Sequence, residues 1–147
     1  LYMAGRPTES EVEELERNAE MQKALLAPLA GNNPSLLEDP EWRRVNFPIA
    51  RRQIDDLRLQ ASYWLGMASF DAREFSAAAN HFQLRVLDKF PGSRREWGAR
   101  YNLARSLEAE GQFEKARKIY LSDDGPQHLG SQLRAKRLEG KKPVMSP

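Results

Sequence analysis

LGMASFDAREFSAAANHF at residues 65–82 and LARSLEAEGQFEKARKIY at residues 103–120 decide the fold. Leu65-Gly66 aligns with Leu103-Ala104, Phe75 with Phe113, Ala78 with Ala116 and Phe82 with Tyr120, every pair 38 positions apart. Helical periodicity alone does not hold one offset over several independent pairs, so the chain reads as two copies of one helix-turn-helix unit. Antiparallel helices joined by a short turn approach closely only where side chains are small. Gly66 and Ala104 in the first helices, facing Ala78 and Ala116 in the second, supply those crossings. Phe75 and Phe113 are expected to plug the base of each pair, and Phe82 and Tyr120 to reach the next layer.

Working outward, the helix carrying Gly66 is expected to start near Pro48, with Asn46 or Phe47 as its cap. Ile54, Leu57, Ala61, Trp64 or Leu65, and Ala68 give it an apolar stripe as far as about Asp71. A break at Ala72-Arg73-Glu74 leads to the next helix, which stops at Pro91-Gly92. Ser93-Arg94-Arg95-Glu96 reads as a capping box for a fourth helix, with Gly111 as its C-terminal glycine. Asp123-Asp124-Gly125 ends a fifth, and Pro126 opens a sixth with Leu129, Leu133 and Leu138. Upstream, Thr8-Glu9-Ser10-Glu11 is a second capping box, opening a helix with Val12, Leu15, Ala19, Leu26 and Leu29 on one stripe. Pro28 should kink or end that helix, and Gly31 to Pro48, with three prolines, reads as a connector. No stretch alternates with period two, so the expected class is all-α. The expected layout is an acidic helix and Pro-rich connector over 1–47 and a helical domain over 48–140. Within that domain the repeats fall at about 60–92 and 98–125, a capping helix at about 126–139, and 141–147 is a frayed tail.

Composition narrows the function. The 147 residues hold 23 Lys+Arg and 21 Asp+Glu, with 40% hydrophobic and 30% charged content, and no run is apolar enough to cross a bilayer. Absent cysteine excludes disulfides, thiolate catalysis and cysteine-ligated zinc, and two histidines, His81 and His128, argue against a His-rich metal site. Asp55-Asp56 and Asp123-Asp124 are adjacent pairs that diverge on a helix, and no phosphate loop, nucleophile motif or H-E-x-x-H is present. The expectation is a protein without catalytic residues, metal or cofactor. Residues 1–40 carry net −5 and residues 41–147 net +7, so the first helix suits docking onto a basic body, its own or a neighbour's. The start at Leu1 rather than Met suggests a processed product or a piece of a longer chain, and a signal segment upstream would make it periplasmic or envelope-associated.

The two stretches resemble the tetratricopeptide repeat (TPR) family, whose pattern is W-x₂-L-G-x₂-Y…A-x₃-F…P. Trp64-Leu65-Gly66, Ala78, Phe82 and Pro91 approach it in the first copy; Leu103-Ala104, Leu107, Gly111, Ala116 and Tyr120 do so in the second. Ser69 stands where a large residue is expected, the tryptophan is displaced toward the leucine, and the period exceeds the usual ~34. Tyr63-Trp64-Leu65-Gly66 and Phe90-Pro91-Gly92-Ser93 look most like TPR proteins of the bacterial envelope, of the Tol-Pal-associated division-coordinator and outer-membrane assembly lipoprotein type.

The resemblance implies a short right-handed α-superhelix with an extra N-terminal helix and a C-terminal capping helix. It further implies a non-catalytic scaffold or adaptor holding a peptide or partner helix in a concave groove. Carried over by position, that groove would present Tyr63, Met67, Phe70 and Asp71, then Tyr101, Asn102, Arg105 and Glu108. The family's carboxylate-clamp subtype fits poorly, because Tyr63 and Met67 occupy its Lys and Asn positions. A structural self-assembly unit of a larger bacterial protein is the alternative. Nucleic-acid binding through Arg43-Arg44, Arg51-Arg52, Arg94-Arg95 and Arg134-Lys136-Arg137 ranks lower, since interleaved acids such as Asp55, Asp56 and Glu96 favour a solvated face.

Overall fold

The computed structural model describes residues 9–143, with side chains from Asn18 onward. Among the described residues there is no strand: the fold is all-α. Six helices are α1 (Glu9–Ala30), α2 (Pro40–Asp71), α3 (Phe75–Asn80), α4 (Glu96–Ala109), α5 (Phe113–Leu121) and α6 (His128–Leu138). A 3₁₀ turn covers Pro34–Glu38, and α3 runs on into a π-helical segment, His81–Leu87. The chain divides into two compact units between Asp56 and Leu57, within α2.

In the first unit the Thr8 capping box lies outside the described residues. The α1 helix passes Pro28 and ends two residues later, where Gly31 takes a positive φ of 56°. The expected connector up to Pro48 is corrected: α2 begins at Pro40, and the 3₁₀ turn fills most of the gap. Asp39 is the reason. Its Oδ1 accepts the N–H groups of Glu41 and Trp42 at 2.9 and 3.2 Å, and Pro40 sits in the first turn, where a missing donor costs nothing. Pro48 then lies inside the helix on its exposed side, so the Arg44 carbonyl that it leaves without a donor is open to water. Leu26, Ala30 and Ala50 are buried, and Lys23 pairs with Glu38 at 3.1 Å, tying α1 to the 3₁₀ turn.

The second unit carries the helix pairs. Gly66, Ala78, Ala104 and Ala116 are all buried, as close crossings require. A Cβ added at Gly66 would stand 2.7 Å from Phe82 Cε1, so only glycine lets that ring lie on α2. Tyr63 meets Phe82 edge-on at 5.8 Å, and Tyr101 meets Tyr120 in the same way at 6.0 Å. The turns match as well. After α2, the Arg73 and Glu74 amides donate to the carbonyls of Phe70 and Ser69; after α4, Gly111 and Gln112 donate to Glu108 and Leu107. This is the Schellman pattern of a helix end, with Arg73 (φ 64°) and Gly111 (φ 79°) in the left-handed position.

Three expectations are corrected here. Leu103 is buried, but its counterpart Leu65 is 54% exposed. The difference is position: Leu103 lies on α4, which packs against both α3 and α5, whereas Leu65 points outward from α2. Leu57, Trp64, Leu129 and Leu133 are likewise exposed rather than core residues. The Ser93–Glu96 capping box does not form; α4 starts at Glu96 itself, whose carboxylate pairs with Arg100 at 3.0 Å, while Ser93 Oγ accepts the Arg95 amide.

Candidate protein-interaction face

Tyr63, Met67 and Phe70 recur at three- and four-residue spacing, which sets them on one face of α2. Tyr101, Asn102 and Arg105 stand on α4, and the structure joins the two sets directly. Asn102 Nδ2 donates to Tyr63 Oη at 3.1 Å and to the Gly98 carbonyl at 2.9 Å, while its Oδ1 accepts from Arg105 Nη1 at 3.2 Å. Asn102 is therefore buried and fully occupied: it ties Tyr63 to Arg105 and positions them, rather than meeting a ligand. Gly98 permits the tie. A Cβ there would lie 3.0 Å from Tyr63 Oη.

Three arginines lie over the aromatic rings. Arg95 stands 4.8 Å from the Tyr63 centroid and 5.7 Å from that of Trp64, held by Nε and Nη2 bonds to Gln60 Oε1 at 3.2 and 2.6 Å. Arg105 sits 4.4 Å above Phe70 and 5.9 Å from Tyr101. Arg134, from α6, lies 5.7 Å from Tyr101 and donates Nε to its hydroxyl at 3.1 Å. Half-buried guanidinium–ring contacts of this kind contribute about 0.5–2 kcal/mol each. Phe70 in turn meets Phe75 edge-on at 5.2 Å.

Glu108 closes the network at its α6 end. Its Oε2 accepts from Tyr120 Oη at 2.7 Å and from Arg134 Nη1 at 3.3 Å. Burial, reinforced by that hydrogen bond, pushes the Tyr120 hydroxyl well above the ordinary phenol range, so it stays a donor. Met67 is half-buried against the core beneath this face, and Trp64, 56% exposed, is its most open ring.

Sequence reasoning passed over Gln60, Arg95, Gly98 and Arg134 as parts of this face. The arginines were visible only as charge clusters, and a guanidinium's partner on another helix leaves no local pattern. Elsewhere, Arg44 pairs with Glu41 at 2.6 Å and Arg51 with Asp55 at 3.6 Å, as interleaved acids suggested. Among the described residues no group of three or more His, Asp or Glu could hold a metal ion, and no helix is long and apolar enough to cross a membrane. His81 is half-buried with its Nδ1 unpartnered, and among the described residues no carboxylate or nucleophile is bonded to it. Comparison with protein-family models, with curated proteins and with solved structures finds no significant match to this chain.

Proposed function

We propose that the second unit is a TPR-like, non-catalytic interaction module that takes a peptide or a partner helix across the face made by α2, α4 and α6. The observation carrying this reading is the Arg–aromatic network. Tyrosine, tryptophan and arginine dominate the energetics of protein recognition, and here they are fixed before any partner arrives, which lowers the entropy lost on binding. The 38-residue correspondence of turns, small-residue crossings and edge-on ring pairs supports the repeat reading behind it.

A photo-crosslinking amino acid at Trp64, in the presence of a lysate of the native host, tests it against the same probe at Lys115 on α5. Adducts at position 64 that Tyr101→Ala abolishes are expected. Equal yields at both positions contradict the proposal. Self-assembly is the second reading, favoured by Leu129 and Leu133, both 67% exposed on the outer side of α6. Light scattering after size exclusion separates the two, since a monomer at micromolar concentration leaves self-assembly without support.

A further inference from the structure

We infer that the segment taken by this face is acidic: an extended peptide carrying two carboxylates three to five residues apart. The inference rests on the interaction reading above and deepens it. Its basis is the way Arg95 and Arg105 are held. Both have a ring beneath them, and both are hydrogen-bonded to neutral amides, Gln60 and Asn102. A neutral acceptor fixes a guanidinium without cancelling its charge. Among the described residues neither has a carboxylate within 4.0 Å, in contrast to Arg134, which is neutralised by Glu108. A guanidinium carries five donors, and Arg95 spends two side-chain nitrogens on Gln60 while Arg105 spends one on Asn102. Each therefore keeps N–H groups for a carboxylate, with the ring beneath restricting the rotamers that binding would otherwise have to freeze.

The spacing follows from helix geometry. Arg95 stands at the start of α4 and Arg105 ten positions further on, roughly 15 Å along its axis, while the rings beneath their guanidinium groups, Tyr63 and Phe70, lie seven positions apart on α2, roughly 10 Å. An extended chain advances about 3.3 Å per residue, which sets the two acids three to five residues apart. A nucleic-acid strand would supply anions as well, but single-strand binding stacks successive bases on bare rings, and here Tyr63 and Phe70 already lie under guanidinium groups, leaving Trp64 as the one open ring among the described residues of this face.

Selection of a phage-displayed random peptide library on the immobilised protein tests this, with the winning peptides then titrated against variants. Expected winners carry paired Asp or Glu at that spacing, and replacing either acid by its amide weakens binding about tenfold. Their affinity falls with rising salt and is lost with Arg95→Gln/Arg105→Gln, whereas Arg95→Lys/Arg105→Lys recovers part of it. Melting curves of each variant show that the unit still folds. Winners without acidic residues whose binding needs Tyr63 overturn this inference but leave the interaction reading standing. A selection that enriches nothing overturns that reading and this inference with it. Tighter binding of a labelled oligo(dT) than of any acidic peptide overturns the inference in favour of nucleic acid.

Discussion

Adding one methyl group at Gly66 has two opposed consequences, and the structure decides between them. Alanine is about 1 kcal/mol better than glycine in a helix interior, so an unconstrained Gly66→Ala stabilises. At this site, however, the new Cβ stands 2.7, 2.8 and 3.0 Å from three atoms of the Phe82 ring. That ring is fully buried, so it relieves the clash only by displacing its neighbours. Overpacking of this kind costs about 1–3 kcal/mol, which leaves a net loss of about 1 kcal/mol. In a Phe82→Leu background the ring is gone, and the same substitution should be neutral or stabilising. The double-mutant cycle, measured by thermal and urea unfolding, should therefore give a coupling energy of about 2 kcal/mol. Gly130→Ala is the internal control: nothing lies within 4 Å of its would-be Cβ, and it should stabilise by about 0.5–1 kcal/mol. If Gly66→Ala raises the melting temperature as Gly130→Ala does, in both backgrounds, the crossing is not set by that ring and the reasoning fails.

Arg73→Gly should stabilise by up to about 1 kcal/mol, because Arg73 holds a φ of 64° that glycine adopts without strain, and Gly111→Ala should cost a similar amount; melting temperatures that move the other way contradict the turn assignment. Gly98→Ala should push the Tyr63 hydroxyl off Asn102, a loss of about 1 kcal/mol that alanine's helix preference offsets, so stability should change little while the Asn102 side-chain amide resonances shift; unmoved resonances contradict the contact. The Tyr120 hydroxyl ionises near 10.0 in the unfolded chain and well above that when folded. The folded state therefore keeps a proton that the unfolded state releases: the stabilisation is present below about pH 10 and declines as pH rises further, by about 1.4 kcal/mol per pH unit. Tyr120→Phe should remove that part of the alkaline slope in urea titrations, and an unchanged slope would contradict it.

How much of this could be read beforehand depended on how local its cause is. Side-chain volume is local, so the burial of Gly66, Ala78, Ala104 and Ala116 was legible, as was the left-handed Gly111. The start of α2 at Pro40 rather than Pro48 is set by Asp39, whose carboxylate receives two amides, a cap that the three prolines of this stretch mask in the sequence. Leu65 and Leu103 are the same residue at matched positions, and only the packing of α4 against two neighbours separates them. The candidate site divides in the same way. Tyr63, Met67, Phe70, Tyr101 and Arg105 follow from helical spacing and the TPR resemblance. The Arg95–Gln60 bond spans 35 positions, and Arg134 reaches Tyr101 from 33 away. Such partners depend on the relative register of helices, which no single stretch of sequence encodes.

The measurement that addresses the proposed binding face most directly is amide chemical-shift mapping with an acidic peptide selected as described. Perturbations should concentrate on residues 60–70 of α2, 95–105 of α4 and around Arg134, leaving Lys115 and Lys118 of α5 unmoved. Perturbations centred on α5, or spread evenly over the unit, would contradict the account.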